Sequence, residues 1–288
     1  MINIVLVTDR NYIQFAITTI YSVLKSTTEE ILVKCFALGF SEDQLINYKN
    51  KFNNKSVKFI SINDDFLKNI KTKNHVSKAA YLKIFLPEIL EDTEKIIFLD
   101  SDLLVINDIN KLWVQFDENY TIQAIWNPGY NYDNELIGLG LDEETFNSGV
   151  MLMNLEKMRI NSDSKKLLNF IDEKNHLTKL NDQAAFNAIY AREWGRISLD
   201  WNVQNKFYFK KSSYLKLKRC EKKDLLYNPS IIHFTTNSKP WMFKNAHPRK
   251  AFFIENYEAV NGKLLYYDKN LISFLKKIKE FLNYCFKV

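Results

Sequence analysis

The chain has 288 residues, 46% of them hydrophobic and 26% charged, which excludes a disordered or fibrous polypeptide and allows one large or two small globular domains. Its net charge of +6 is spread along the whole chain rather than gathered into a stripe, so no nucleic-acid partner is expected, and an anionic small molecule or an anionic membrane surface fits at least as well. Cys35, Cys220 and Cys285 are odd in number, far apart and in no Cys-x-x-Cys pair, which argues against a disulfide framework or a zinc knuckle and points to the reducing cytosol.

In chain order, residues 4–7 form a short apolar run ending at Thr8-Asp9, read as a buried strand leading into a polar loop. The run has no basic flank and no cleavage-like site, so a signal peptide is not expected. Helical spacing over 15–25 places Ile17, Ile20, Tyr21 and Leu24 on one face. Strands are predicted at 32–38 and 57–62, with Ser41 capping a helix between them. A helix over 78–86 precedes the strongest strand signal, 96–99, and further strands are predicted at 121–125 and 149–153. Helices follow at 164–174 and 182–190, and a last short strand at 231–234. From Arg249 the chain turns helical and Lys-rich. Beta runs alternating with helical ones predict an α/β class with a mostly parallel sheet covered by helices. The expected partition is a catalytic domain over 1–248 and a helical, basic C-terminal extension over 249–288. No apolar run reaches the roughly 18 residues needed to span a bilayer, so a soluble protein is expected, at most attached to a membrane from one side.

Asp100-Ser101-Asp102 directly follows the strand signal, and carboxylates at i and i+2 point to the same side of an extended backbone. Past the C-terminal end of a strand they stand where open α/β sheets bind ligands, and their oxygens suit Mg²⁺ or Mn²⁺. Alone, the same triplet also reads as a solvated acidic turn. His233 ends an apolar run and is followed by Thr235, Thr236, Asn237, Ser238 and Lys239. It reads either as a hydrogen-bonded core histidine or as a third metal ligand beside a phosphate cradle, and an imidazole ligand favours Mn²⁺ over Mg²⁺.

Six short motifs then fall in one order: Thr8-Asp9-Arg10-Asn11-Tyr12, Tyr81-Leu82-Lys83, Phe98-Leu99-Asp100-Ser101-Asp102, Phe146-Asn147-Ser148-Gly149, Asn181-Asp182-Gln183, and His233 with Lys239-Pro240-Trp241. In this order and spacing the chain resembles the family-8 glycosyltransferases, a group that includes glycogenin and bacterial lipopolysaccharide galactosyl- and glucosyltransferases. The resemblance implies a GT-A fold, two abutting Rossmann-like halves around a central mostly parallel sheet. It also implies a UDP-glucose or UDP-galactose donor and a glycan, lipid-linked or protein acceptor. It assigns Thr8, Asp9 and Asn11 to the uridine, and Asp100, Asp102 and His233 to Mn²⁺, with Ser101 between the carboxylates. Thr236 and Lys239 fall to the phosphates. Asn147, Ser148, Asp182 and Gln183 fall to the donor sugar and the anomeric centre. His75 would lie in a loop over the donor.

Two residues depart from the family pattern. Lys83 stands where an Arg is usual, and Thr236 stands near the place of a glycine that commonly follows the metal His. Gln183 beneath the anomeric carbon is an amide and a poor nucleophile, so same-face attack with retention is expected, a covalent intermediate on Asp182 being the alternative. A nucleotidyltransferase would show a Gly-rich loop near the first strand, and residues 5–12 contain no glycine. A catalytically weak partner subunit is the third reading; the intact carboxylate, His and Asp-Gln set argues against it, and Lys83 leaves it open. Trp126, Tyr130 and Tyr132 mark a loop that stacks on an acceptor sugar or simply packs on the surface. Over 271–282 apolar residues recur three and four apart and alternate with lysines, the pattern of a helix that packs on its own domain or lies in an anionic membrane surface.

Overall fold

The structure is a computed structural model, and it describes residues 1–52, 56–63, 65–68, 70, 77–129, 131–174 and 176–284. Its strands in chain order are β1 (Ile2–Thr8), β2 (Ile31–Leu38), β3 (Val57–Ile62), β4 (Lys95–Leu99), β5 (Leu103–Val105), β6 (Ile122–Trp126), β7 (Phe146–Asn154), β8 (Gly195–Ile197), β9 (Val203–Gln204) and β10 (Ile231–His233). The chain divides into two compact units: the first comprises Met1–Ile13, Glu29–Asp100 and Asn110–Ser198, the second Gln14–Thr28, Ser101–Ile109 and Leu199–Val288.

The first unit is built on a seven-stranded sheet in the order β3-β2-β1-β4-β7-β6-β8. The β3–β2, β2–β1, β1–β4 and β6–β8 pairs are parallel, and only the pairs made by β7 are antiparallel. The sheet is covered on both faces, which is why β4 and β7 read as unbroken apolar runs instead of alternating. Phe36, Phe98, Met151 and Phe186 meet in its core, where each fully buried side chain stabilises by about 1.5–3 kcal/mol. The expected helix over 78–86 is instead a 3-10 segment, Lys78–Phe85, followed by a short α-helix, Leu86–Ile89. Pro87 has no N–H to carry the α-helical ladder back to Lys83, and the Lys83 carbonyl accepts from Leu86 N, three residues on.

The second unit holds the three-stranded sheet β5-β10-β9. Helix Ile13–Ser26 packs here from Gln14 onward: Thr19 Oγ1 donates to the Leu103 carbonyl at 2.9 Å, and Phe15 stacks on Trp241 with ring centroids 3.5 Å apart. Helix Lys250–Asn261 buries Phe253 against Phe234 and fixes itself through Tyr257 Oη donating to Gln14 Oε1. Helix Leu271–Asn283 packs the other way round from an ordinary surface helix. Ser273 and, just past its end, Tyr284 are buried, and Glu280 accepts from Ser238 Oγ at 2.7 Å. Leu271, Phe274, Leu275, Ile278, Phe281 and Leu282 are exposed.

Candidate active site

Parallel pairing of β1 and β4, with Leu6 opposite Leu99, sends the loop that begins at Asp9 and the loop that begins at Asp100 out of the same end of the sheet. Asp9 closes the first turn of the loop after β1: its Oδ1 accepts from Asn11 N at 2.9 Å and Tyr12 N at 3.0 Å. Its Oδ2 accepts from Ser77 Oγ at 2.5 Å. Thr8 is buried, and Asn11 is exposed. His75 and Tyr130 lie outside the described residues.

Lys83 is 1% exposed, and its ammonium is the hub of the first unit's polar cluster. It lies 2.8 Å from Asp182 Oδ2 and 3.5 Å from Asp100 Oδ1, donates to the Ser148 carbonyl at 3.3 Å and sits over the Phe98 ring. Burial favours its neutral form, but the charges of Asp100 and Asp182 more than offset that and raise its pKa above the ordinary lysine value. Asp182 also accepts from Ser148 Oγ at 3.3 Å. Gln183 Oε1 accepts from Asn147 Nδ2 at 2.8 Å and Ser148 N at 3.3 Å, while its Nε2 is buried with no partner among the described residues. Asn187 fixes helix Asp182–Tyr190 to β7 by pairing with both N and O of Phe146. Asn181, just before that helix, has φ 51° and ψ −118°.

In the second unit, Asp102 Oδ1 lies 3.2 Å from His233 Nε2 and Oδ2 accepts from Lys239 Nζ at 2.6 Å. Lys239 also donates to the Phe234 carbonyl at 2.6 Å. Burial works against the Asp102 charge, yet Lys239 and His233 hold its carboxyl far below the usual carboxylate range. His233 Nδ1 lies 2.9 Å from Asn202 Oδ1, where Nδ1–H donates, and Nε2, which faces Asp102, is the ring atom left to bind a cation. Thr236 Oγ1 donates to the Ser238 carbonyl at 3.1 Å, and the Ser101 carbonyl accepts from Thr19 Oγ1.

One ligand atom each from Asp100, Asp102 and His233 lies within 4.8 Å of the others. Two carboxylate oxygens and an imidazole nitrogen with its tautomer fixed fit a divalent cation. Of the residues singled out in the sequence, Lys83, Asp100, Asn147, Ser148, Asp182 and Gln183 meet in one hydrogen-bonded cluster, and Asp102, His233 and Lys239 in another. Ser77, Asn187 and Asn202 were not among the expected site residues. Ser77 stands beside the expected His75, whereas Asn187 and Asn202 carry no sequence signal of their own.

Residues 3–245 match the family described as glycosyl transferase family 8. The chain is similar to general stress protein A of Bacillus subtilis, 29% identical over 264 residues that cover 88% of this chain and 92% of the relative. It is also similar to a putative glycosyltransferase of Haemophilus influenzae, 28% identical over 96% of this chain and 86% of that one. Among solved structures it resembles the galactosyltransferase LgtC in complex with donor and acceptor sugar analogues, with a TM-score of 0.78 at 21% identity, covering 90% of this chain and 96% of LgtC.

Proposed function

The chain belongs to glycosyl transferase family 8, has the GT-A fold and is a glycosyltransferase, and on that premise we propose that it moves glucose or galactose from a UDP-sugar to a hydroxyl acceptor with retention of configuration. The observation that carries this reading is the Gln183 amide, held by Asn147 and Ser148 with a buried, unpartnered Nε2 donor beside the Lys83–Asp182 pair. A buried donor without a partner costs stability, and a sugar hydroxyl would remove that cost. An amide beneath the anomeric centre is too weak a nucleophile for a covalent intermediate. Asp182 is tied to Lys83 and Ser148, which fits orientation and charge stabilisation better than attack. Same-face attack is therefore the favoured course, with the departing phosphate taking the acceptor proton.

Asp100, Asp102 and His233 would hold Mn²⁺, or Mg²⁺ in its place. When bound, the ion supplies neutralisation of the negative charge that develops on the departing UDP. Lys239, within reach of Asp102, is suited to bind a donor phosphate, with Thr236 on the same loop, and Thr8, Asp9 and Asn11 frame the nucleoside end. The test is a screen of UDP-sugars for UDP release by the purified protein with Mn²⁺, with Asp102→Ala as control and the product linkage read by NMR. Turnover of a UDP-hexose that disappears in the variant supports the reading. No turnover of any UDP-sugar, turnover undiminished in Asp102→Ala, or a β-linked product from an α-linked donor counts against it.

The outward apolar face of helix Leu271–Asn283 supports a peripheral location, and its proposed occupant is an anionic bilayer. Charge selects that occupant. Lys276 and Lys279 on the helix and Lys263 and Lys269 shortly before it are exposed, while both acids of residues 263–283 are held by partners, Asp268 accepting from Phe243 N and Glu280 from Ser238 Oγ. Tyr267 is 96% exposed beside it, a residue type suited to the headgroup layer. No helix among the described residues is long and apolar enough to cross a membrane; the contact proposed is peripheral, at the cytoplasmic face. The acceptor would be a glycan or protein reached from that surface, or a lipid-linked saccharide within it.

A further inference from the structure

We propose that Asp133 is a positioning residue for the Asp182–Gln183 pair, an inference that rests on the donor-facing role given to that pair above. Asp133 is 3% exposed and lies in the connection between β6 and β7. Its Oδ1 accepts from Lys179 N at 2.8 Å, and its Oδ2 accepts from Lys179 N at 3.0 Å and Leu180 N at 2.9 Å. No ion pair among the described residues includes Asp133, and the ammonium of Lys179, whose backbone N–H it accepts, sits over the Tyr132 ring. A buried carboxylate is costly unless its acceptor sites are filled, and here backbone N–H groups fill them through charge-assisted bonds.

Those two amides immediately precede Asn181, whose φ of 51° and ψ of −118° are strained for a residue with a Cβ. Such a conformation persists only where both sides are held. Asp133 holds the near side. On the far side, Gln183 N donates to the Leu180 carbonyl at 3.0 Å, Asn187 pins the helix to Phe146, and Lys83 pins Asp182. The loop that carries Asp133 is itself stiff, because buried Asn134 donates from Nδ2 to the carbonyls of Gly140 and Glu143, both at 2.9 Å. It also ends at β7, whose second residue, Asn147, grips Gln183. One loop thus fixes the Gln183 amide through Asn147 and, through Asp133, the backbone bend that delivers it.

The test compares Asp133→Asn, Asn181→Gly and the double variant with the full-length protein. The carboxamide keeps the shape but presents an NH₂ to one of the two backbone donors. The kcat of Asp133→Asn is expected to fall by roughly ten- to a hundredfold with KM for the UDP-sugar within about threefold. Glycine adopts positive φ without strain, so the double variant is expected to recover most of that kcat. Hydrogen exchange in Asp133→Asn should quicken at residues 179–183 and nowhere else in the first unit. Wild-type kcat in Asp133→Asn would overturn the proposal. So would a parallel loss of kcat, UDP affinity and thermal stability that Asn181→Gly does not repair, since that describes a fold staple. If the wild-type protein turns over no UDP-sugar, the functional reading fails by itself and exchange still decides: quickening confined to 179–183 supports the positioning role, unaltered exchange there overturns it.

Discussion

Lys83 places a buried ammonium against the carboxylates of Asp100 and Asp182, so replacing it tests charge and shape separately. Lys83→Met leaves both carboxylates without their cation, and removing one partner of a buried pair costs about 3–5 kcal/mol. Loss of turnover and a lowered Tm are expected. Lys83→Arg restores the family's usual residue and offers a planar fork, and donor affinity equal to or better than wild type is expected from titration with UDP-sugar. A complete loss of donor binding would mean that the site, packed against Phe98, has no room for the larger head. Asn202 gives a second residue-scale test. It fixes the His233 tautomer, so Asn202→Ala should weaken Mn²⁺ affinity by about 10–100-fold, read from Mn²⁺-dependent UDP binding, while the fold survives. Asp100, Asp102, Lys83 and Gln183 were legible because they stand in short motifs with their own spacing. Asn202 was not, because it meets His233 from 31 residues away and only the fold brings them together.

Elements long enough to show a period were legible. β1, β2, β3, β4 and β7 were expected within a few residues, because buried strands of a mostly parallel sheet are continuous apolar runs. β5, β8 and β9 span three, three and two residues, too few for any period. The 3-10 form of Lys78–Phe85 was hidden for another reason, since its apolar pattern fits a helix and only Pro87 marks the change. His247, just before helix Lys250–Asn261, shows how an element's anchoring sets a pH dependence. It packs edge-on to Phe234 and Tyr208, Nδ1 accepts from Arg249 N, and burial pushes its pKa down to about 3. The folded state therefore binds fewer protons than the unfolded one between pH 3 and the ordinary histidine value of about 6.5. Its contribution is whole above that upper value and declines as pH falls through the window. Urea unfolding at pH 5 should show about 2 kcal/mol less stability than at pH 7.5 from this group alone. His247→Gln should flatten that slope, and an equal slope in the variant would assign the acid sensitivity elsewhere.

At the scale of the whole molecule, the net charge of +6 does not by itself direct the protein anywhere, and the proposed membrane contact rests on the residues around helix Leu271–Asn283. The apolar period over 271–282 was plain in the sequence, and it left open which face would turn inward. Side-chain partners decide that: Glu280 on Ser238 and Tyr284 on Asn205 turn the polar side in, which leaves the apolar side out. An ordinary packed helix would bury Phe274 and Ile278, whereas here they are 49% and 45% exposed. Each lysine near an anionic surface adds about 1 kcal/mol, and each leucine or phenylalanine sunk into the interface adds the transfer energy of its apolar area. The full-length protein should sediment with liposomes containing phosphatidylserine at low salt and stay in solution with neutral phosphatidylcholine liposomes. Release should grow with ionic strength as the lysine contribution is screened. Replacing Phe274, Leu275 and Ile278 together by Ser should abolish sedimentation, and since none of the three belongs to the proposed site, UDP-sugar turnover in solution should be kept. Equal recovery of wild type and triple variant in the supernatant with anionic liposomes would remove the membrane from the account. A shift to dimers in wild type alone would give the apolar face to a second copy of the chain instead.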